Sequence, residues 1–260
     1  MNKTKIAWTD MTWNPVTGCT KCSPGCQNCY AEKMAYRLNK MNFVKYFNGF
    51  KVTLHPESLT EPVNTKGFRK VFVCSMGDLF HKDVPDDYID KVMNVISSCH
   101  EKIFIILTKR SERMAEYYKN KEISPNVWLG VTVECKNAVR RIDDLKKIKA
   151  ENVKFLSCEP LIEELGELNL DGINWVIAGG ESGSQARPMN PLWLNNIKNE
   201  CEKQNISFFF KQWGTWGEDG KRRCKSKNGC MINGKKYQAW PDNSYYEKWY
   251  ECKIKESGNK

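Results

Sequence analysis

Four cysteines crowded into residues 19–29 constrain this chain more than any other feature of its sequence. They are Cys19, Cys22, Cys26 and Cys29, and the 260-residue chain contains twelve cysteines in all. The first ten residues include lysines but lack the apolar stretch and small-residue cleavage site of a signal peptide, which predicts a cytoplasmic protein. Because cytosolic thiols stay reduced and disulfides are rare there, clustered cysteines are first of all candidate metal ligands.

The spacing of these cysteines narrows the choice of metal. Cys22, Cys26 and Cys29 are spaced C-x3-C-x2-C. Three thiolates in one short loop can bind three irons of a [4Fe–4S] cluster and leave the fourth iron open to a small molecule such as S-adenosylmethionine. Zinc is the alternative, bound by two C-x2-C pairs, but zinc ribbons usually separate such pairs by about 12–20 residues. Only three residues separate them here, so the spacing favours iron.

Short β-branched and aromatic segments alternate with amphipathic segments along most of the chain. This rhythm predicts an α/β fold with a parallel sheet whose two faces are both buried. Periodicity alone does not separate a barrel from a doubly wound sheet. After residue 213 the rhythm stops, which divides the chain into an α/β unit over 1–213 and a basic, aromatic and cysteine-containing appendage over 214–260. The predicted strands are approximately 5–13, 52–54, 71–74, 103–107, 127–133, 153–156, 175–178 and 207–210.

Polar residues just after the predicted strands are candidate binding groups, because ligands of parallel α/β folds bind beyond the carboxyl ends of the strands. The alternative is that these charges pair with one another in salt bridges that support the rim of the sheet. The candidates for a cosubstrate are Ser75, Lys109, Glu134 and Glu159, and the candidates for a substrate are Glu181, Arg187 and Lys211.

Longer motifs extend these observations: TKIAWTD at 4–10, TWNPVTGC at 12–19, SMGDLFH at 75–81, LTKR at 107–110, GGESG at 179–183 and FFKQWG at 209–214. Together they resemble a phage and prophage family of three-cysteine-motif, radical-SAM-like proteins. The resemblance implies a TIM-like (β/α) radical-SAM barrel, partial or complete. It implies Cys19 as the third cluster ligand, whereas the C-x3-C-x2-C spacing indicates Cys22; Cys26 and Cys29 belong to both triads. Glu57 occupies the place where radical-SAM enzymes bind the methionine amino group, although the usual two preceding glycines are absent.

The resemblance and the cysteine spacing together predict a radical S-adenosylmethionine enzyme that generates a 5′-deoxyadenosyl radical. Such an enzyme needs an external reductant of the flavodoxin or ferredoxin type. Two other classes stay open: a non-catalytic nucleic-acid-binding module with a structural zinc or iron–sulfur site, and an iron–sulfur electron carrier. No apolar run approaches the roughly 18 residues needed to span a bilayer, which predicts no membrane partner.

Charge indicates the class of substrate. The formal net charge is +10, and it is concentrated at the two ends, where residues 1–60 carry eight basic and three acidic groups and residues 211–260 carry twelve and six. If the two ends meet on one face, they favour a polyanion such as DNA or RNA. Tryptophans interleaved with basic residues after position 212 point the same way. The alternatives are a solvated lysine-rich surface and tryptophans that only pack the appendage.

Overall fold

The computed structural model describes residues 1–67 and 69–258 of the chain. The strands are β1 (Asn2–Lys3), β2 (Met11–Trp13), β3 (Val16–Thr17), β4 (Thr53–Leu54), β5 (Lys70–Val73), β6 (Ile103–Thr108), β7 (Val127–Thr132), β8 (Lys154–Cys158), β9 (Trp175–Gly179), β10 (Ser207–Gln212), β11 (Met231–Ile232) and β12 (Lys235–Lys236). The α-helices are α1 (Tyr30–Lys40), α2 (Glu61–Asn64), α3 (Asp86–Ser98), α4 (Ser111–Tyr117), α5 (Arg141–Lys147), α6 (Pro191–Lys203), α7 (Lys225–Asn228) and α8 (Ser244–Gly258). Short 3₁₀ helices span Pro24–Cys26, Val44–Tyr46, Pro56–Thr60 and Lys136–Ala138.

One eight-stranded sheet organises the fold, in the order β1-β2-β5-β6-β7-β8-β9-β10. Only the edge strand β1 is antiparallel; every other neighbouring pair is parallel. The predicted α/β class with a parallel sheet is therefore confirmed. The parallel strands follow chain order without the reversal that defines a doubly wound sheet. Within the described residues the two edge strands, β1 and β10, do not pair with each other, so the sheet is open and a complete barrel is not confirmed.

The two faces of the sheet are buried in different ways, as strand alternation requires. Phe104 and Ile106 of β6 belong to the large core on the helix-covered face. Ile103 and Ile105 point to the opposite face, where Trp128, Phe155, Trp175 and Phe209 complete an aromatic-rich cluster. We call this second side the inner face. Every second residue of a strand points to the same face. Continued past the ends of the strands, the inner-face positions are Lys109, Glu134, Glu159, Glu181 and Lys211, the charged residues at the carboxyl ends.

The C-terminal region covers two parts of the sheet. Tyr246 of α8 lies in the inner-face cluster and donates a hydrogen bond to the carbonyl of His100, over 3.0 Å, at the starting end of β6. Residues 237–239 run antiparallel to β10, so that the Phe210 amide donates to the Tyr237 carbonyl over 2.7 Å. The α8 helix thus fills the amino end of the inner face, and residues 237–239 satisfy an otherwise exposed sheet edge.

One predicted strand belongs elsewhere. Residues 52–54 do not join the main sheet; β4 pairs antiparallel with β3 in a separate two-stranded sheet, with Leu54 opposite Val16. The place beside β2 is taken by β5, whose Val71 pairs with Met11. A run of three residues followed by His55 and a proline is too short to reveal which of the two sheets it will join.

The tryptophans of the C-terminal region make packing contacts, although Trp240 stays partly exposed. Trp213 is 1% exposed, and Trp240 stacks on Trp175 with ring centroids 5.1 Å apart. The indole of Trp216 donates to the carbonyl of Ala186 over 2.7 Å. These contacts give the rings a packing role, and nucleic-acid binding by this region stays a prediction. No helix within the described ranges combines the length and the apolar character needed to cross a bilayer.

Candidate metal centre at the carboxyl ends of the strands

The cysteine loop, residues 18–29, begins at a glycine that the backbone requires. Gly18 has a φ of +82°, and its amide donates to the carbonyl of Met76 over 2.9 Å, beside a parallel bridge to Gly77. A Cβ atom on Gly18 would overlap the carbonyl oxygen of Lys51. Only glycine combines this φ with so close an approach. The loop therefore leaves the small β3–β4 sheet in a fixed direction, just beyond the carboxyl end of β5.

The four cysteines of this loop are free thiols at or near the surface. Cys22 is exposed, and its interaction with the neighbouring Cys26 lowers the pKa of Cys26 to about 4 and raises the pKa of Cys22. The Ser23 hydroxyl lies 3.7 Å from Sγ of Cys26 and stabilises the same thiolate. Cys29 ends the loop as the residue before α1. The loop thus presents four free cysteines, and the pKa of one of them, Cys26, is lowered.

Cys19 is bound by an arginine from the end of β6. Nη1 of Arg110 lies 3.3 Å from Sγ of Cys19 and 2.8 Å from Oδ2 of Asp78. Burial raises the pKa of Cys19 to about 11, and the Asp78 charge adds to this, whereas Arg110 opposes it. Nη2 of Arg110 also donates to the carbonyl of Thr20 over 3.0 Å. One guanidinium therefore contacts the first cysteine and the backbone next to it.

Asp78 orients this arginine from the loop after β5. Its Oδ1 accepts from the Thr108 hydroxyl over 2.7 Å and from the Phe80 amide over 3.0 Å. The other oxygen, Oδ2, pairs with Arg110. Because every oxygen of this buried carboxylate has a donor, the Asp78–Arg110 ion pair has a defined geometry. The first part of the cysteine loop is therefore fixed to β5 and β6.

Glu134, at the end of β7, supports the middle of the loop. Its Oε1 accepts a short hydrogen bond from Ser23, and its Oε2 lies 2.8 Å from Nη1 of Arg141. A Cβ atom on Gly25 would lie 2.7 Å from Cγ of Glu134, so the loop backbone rests directly on this side chain. Burial acts to raise the pKa of Glu134, but the charges of Lys109 and Arg141 and the Ser23 hydrogen bond outweigh it. Its pKa lies below the ordinary value, so Glu134 is a carboxylate at neutral pH.

Glu181 and Arg187 hold the end of the loop. The guanidinium of Arg187 binds Glu181 through two bonds, Nη2 to Oε1 over 2.7 Å and Nε to Oε2 over 2.9 Å. Nη1 of Arg187 donates to the Pro24 carbonyl over 3.0 Å, and the Asn28 amide donates to Glu181 over 3.1 Å. A bidentate pair of this kind fixes orientation as well as distance. These two predicted substrate-binding residues are therefore engaged with the cysteine loop.

The remaining candidates differ in their surroundings. Lys211 Nζ lies 2.8 Å from Oε1 of Glu159, so these two inner-face residues form an ion pair near the loop-supporting groups. Ser75 donates to Asn14 over 3.2 Å. Glu57 lies apart, on the 3₁₀ helix that follows β4, where its exposed carboxylate is 3.2 Å from Nδ1 of His55.

The donor set can be compared with the two metals that the spacing allows. A single zinc ion needs its ligand atoms gathered at about 2.0–2.3 Å from one point. Within residues 1–67 and 69–258, no three His, Cys, Asp or Glu side chains are gathered closely enough to hold any metal ion, so the distances between ligand atoms do not discriminate zinc from iron. Several thiols on one loop, with an N–H donor 3.3 Å from one sulfur, fit the chemistry of an iron–sulfur cluster, whose ligands are thiolates tuned by hydrogen bonds to sulfur.

Comparison with known proteins places the chain in a family. Residues 3–241 match the family described as "Protein of unknown function (DUF5131)". The chain belongs to this family. The match extends beyond the 4–214 segment that carries the sequence motifs, and it includes the first part of the C-terminal region. The phage setting inferred from those motifs stays a prediction.

The comparisons with individual proteins are weaker. No curated protein matches the chain. Among solved structures, spore photoproduct lyase complexed with dinucleoside spore photoproduct is 10% identical, with a TM-score of 0.45 over 72% of this chain. A cysteine-to-alanine mutant of that lyase with the same dinucleoside gives 9% identity and a TM-score of 0.38, also over 72%. This chain covers 59% of each of those chains.

Sequence reasoning missed the residues that position the loop. Asp78 and Arg110 stand in the motifs SMGDLFH and LTKR, directly after two predicted strands, but the motifs do not show that the two side chains meet. No sequence motif marks Arg141 or Asn28 as a loop-positioning residue. Arg141 lies on a different element from its partner Glu134, and Asn28 is far in sequence from its partner Glu181. The informative feature is the position of these residues directly after a strand. It predicts that they lie at the same edge of the sheet but not which side chains contact each other.

Proposed function

We propose that this protein is a radical S-adenosylmethionine enzyme with a [4Fe–4S] cluster on the cysteine loop, acting on nucleic acid or a nucleotide. The observation that carries the proposal is the placement of four free cysteines on one loop, which side chains from the ends of several parallel strands hold at the carboxyl edge of the sheet. In this proposal residues 1–213 form a partial radical-SAM barrel, and residues 214–260 form an appendage to it.

Cys26 and Cys29 are the two ligands common to both possible triads. Cys19 or Cys22 is the third, and the two differ in their surroundings, since Cys19 accepts from Arg110 whereas Cys22 is exposed. A cluster held there would supply the electron for reductive cleavage of S-adenosylmethionine into methionine and a 5′-deoxyadenosyl radical. The protein's part is to bind, orient and exclude water.

The charged groups around the loop divide into two sets by what they already bind. Glu134, Glu181 and Arg187 position the loop, because each bonds to it directly. Glu159 and Lys211 form a pair that does not bond to the loop, so we assign them to a ligand, with the carboxylate for an amino group and the ammonium for a carboxylate or phosphate. When a charged ligand binds, Glu159 and Lys211 would exchange each other for charged groups of the ligand. Both side chains would stay paired, which limits the cost of burying their charges.

Two further residues belong to the proposed cosubstrate site. Lys109 is close enough for its charge to lower the pKa of both Cys26 and Glu134, which places a cation beside the loop. Ser75 offers a hydroxyl next to Asn14. Glu57 lies apart, beside His55, so its role in binding the cosubstrate stays a prediction.

The proposal also requires partners. A flavodoxin or ferredoxin type of protein would deliver the electron in the cytoplasm. The net charge of +10 supports DNA or RNA as the substrate class, because phosphate backbones bind clustered lysine and arginine. An alternative function, a nucleic-acid-binding module with a structural metal and no turnover, is separated from the enzyme by cluster and product analysis.

The decisive experiment is anaerobic reconstitution with iron and sulfide, followed by dithionite and S-adenosylmethionine. We expect about four irons and four sulfides per chain and the formation of 5′-deoxyadenosine. Cys26→Ala and Cys29→Ala should each abolish both. If only one of the variants Cys19→Ala and Cys22→Ala loses iron and 5′-deoxyadenosine formation, the cysteine replaced in that variant is the third ligand.

Two cysteines outside the loop provide matched controls. Cys224 and Cys252 are exposed, so Cys224→Ala and Cys252→Ala remove a surface thiol without touching the loop. Both should keep full iron content and product formation. One tightly bound zinc per chain, or a complete cluster that never cleaves S-adenosylmethionine, would contradict the enzyme proposal.

A further inference from the structure

An exposed aromatic surface begins where the cysteine loop ends. Helix α1 starts at Tyr30, directly after Cys29, and its solvent side continues into the turn that follows. Tyr30, Tyr36, Phe43 and Phe47 are 69%, 52%, 51% and 82% exposed. We call the exposed side of residues 30–47 the α1 face. Exposed apolar groups concentrated in this way mark interaction sites on soluble proteins.

The backbone beneath the α1 face is well supported. On its other side Ala35 and Tyr46 are buried in a small core with Met76, from the loop after β5. Nδ2 of Asn39 donates to the carbonyls of Tyr46 and Phe47, each over 2.9 Å, and ties the end of α1 to the turn. The aromatic rings therefore project from a folded scaffold that is continuous with the cysteine loop.

Cations accompany the rings. Lys33, Arg37 and Lys40 are exposed on α1 at positions i, i+4 and i+7, which places them along one side of the helix. No carboxylate within the described residues forms an ion pair with these three cations. The single acidic residue of α1, Glu32, lies 3.2 Å from Lys21 of the cysteine loop instead. The α1 face is thus both aromatic and positively charged.

We propose that the α1 face binds single-stranded nucleic acid beside the cysteine loop. Projecting rings stack on unpaired bases and cations contact the phosphates, the combination by which proteins bind single strands with little sequence preference. A duplex hides the faces of its bases, so the rings favour a single strand. An acidic protein would satisfy the cations but leaves the four projecting rings without a role. The inference deepens the proposed function, on which it rests for the claim that the bound strand is the substrate.

The test measures binding of the full chain to fluorescein-labelled 20-nucleotide oligomers by anisotropy, under anaerobic conditions and at several salt concentrations. Single-stranded DNA, single-stranded RNA and a DNA duplex form three arms, of which the first two identify the preferred strand. Tyr36→Ala combined with Phe47→Ala should weaken single-strand binding by about fivefold or more, because base stacking is removed. Neutralising Lys33, Arg37 and Lys40 to glutamine should flatten the salt dependence by about 0.7 in log–log slope for each phosphate that the variant no longer binds.

Two control variants remove exposed groups of the same kinds elsewhere on the surface. Leu192→Ala removes an exposed apolar side chain from α6, and Lys225→Gln with Lys227→Gln removes two cations from the C-terminal region. Both should bind oligomers as the wild type does. Loss of binding in the C-terminal control with intact binding in the α1-face variants would overturn the proposal.

The outcomes separate this inference from the proposed function. Iron content is measured in every variant, and the α1-face variants should keep it. Oligomer binding at the α1 face without cluster assembly would leave the inference standing and remove the enzyme. A cluster that cleaves S-adenosylmethionine in a protein that binds no oligomer would support the enzyme and overturn the inference about the α1 face. Slower cluster reduction by reduced flavodoxin in the α1-face variants, together with no oligomer binding, would assign the face to an acidic protein and overturn the proposal.

Discussion

Nη1 of Arg110 lies 3.3 Å from Sγ of Cys19 and so joins the cysteine loop to the end of β6. The same nitrogen lies 2.8 Å from Asp78. An arginine that is oriented by a carboxylate and aimed at a sulfur is a fixed hydrogen-bond donor to that sulfur. Hydrogen bonds to ligand sulfurs raise the reduction potential of an iron–sulfur cluster, because they stabilise the more negative reduced state.

We therefore predict that Arg110→Met lowers the reduction potential of the reconstituted protein. Part of the iron should also be lost, because the Cys19 segment is released from Asp78. The measurements are a redox titration followed by electron paramagnetic resonance, and iron analysis. Arg140→Met, at a largely exposed arginine, is the control and should change neither quantity. An unchanged potential in Arg110→Met would exclude this arginine as a donor to a cluster ligand.

Arg187 should control how tightly the loop is held. Arg187→Lys replaces a bidentate fork with a single donor and loses the bond to the Pro24 carbonyl. We expect trypsin to cleave after Lys21, whose side chain is 56% exposed, several times faster in the variant than in the wild type, because the loop opens more often. Mass spectrometry of timed digests measures this rate.

The matching control for this change is Arg223→Lys, which alters an ion pair with Asp219 in the C-terminal region. Cleavage after Lys21 should be the same in this control as in the wild type. Equal cleavage rates in all three proteins would mean that the Arg187–Glu181 pair does not hold the loop.

Gly25→Ala should disturb the metal centre without unfolding the protein. The new methyl group would lie 2.7 Å from Cγ of Glu134, so the loop backbone must move away from this buried side chain. We expect at least half of the reconstituted iron to be lost while far-ultraviolet circular dichroism stays unchanged. Gln27→Ala, in the same loop but exposed, should retain the iron. Normal iron content in Gly25→Ala would show that the loop does not need to rest on Glu134.

The lowered pKa of Glu134 predicts a specific pH dependence of stability. Burial opposes ionisation, but Lys109, Arg141 and Ser23 outweigh it, so the folded pKa is below the ordinary value of 4.5. The ionised carboxylate therefore contributes stability above pH 4.5, and this contribution is lost as the pH falls through the folded pKa. Glu134→Gln should cost on the order of 1–3 kcal/mol at pH 7, because Arg141 loses a charged partner.

Urea unfolding of the wild type and of Glu134→Gln, at steps from pH 7 to pH 3.5, measures this dependence. The difference in unfolding free energy should narrow as the pH falls below 4.5. Glu247→Gln, at an exposed glutamate of α8, is the control variant. A difference that widens toward acid pH would contradict the sign of the pKa shift.

The inner-face cluster should dominate global stability. Trp175 is fully buried against Phe155, Phe209 and Trp240. Trp175→Ala is expected to cost about 3–5 kcal/mol of unfolding free energy, the range for large aromatic truncations in a core. Trp240→Ala should cost less, because that ring is 39% exposed. Equal costs would indicate that residues 237–240 are packed as tightly as the sheet itself.

The sequence predicted the parallel sheet because its strands are nearly continuous apolar runs, as β6 and β7 show. Such runs report burial on both faces, a property of single segments. Residues 52–54 were misplaced because partner choice depends on which strand occupies the neighbouring place, and that is decided by the whole fold. The same limit applies to the site: strand-end positions of Glu134 and Glu181 were visible, but their bonds to Ser23 and Arg187 join residues whose approach no local pattern encodes.

The helix α8 gives the proposed site a direction. Aromatic side chains of α8 cover the amino end of the inner face. If the proposed function holds, a nucleic acid would therefore approach the cysteine loop from the carboxyl edge of the sheet, opposite α8.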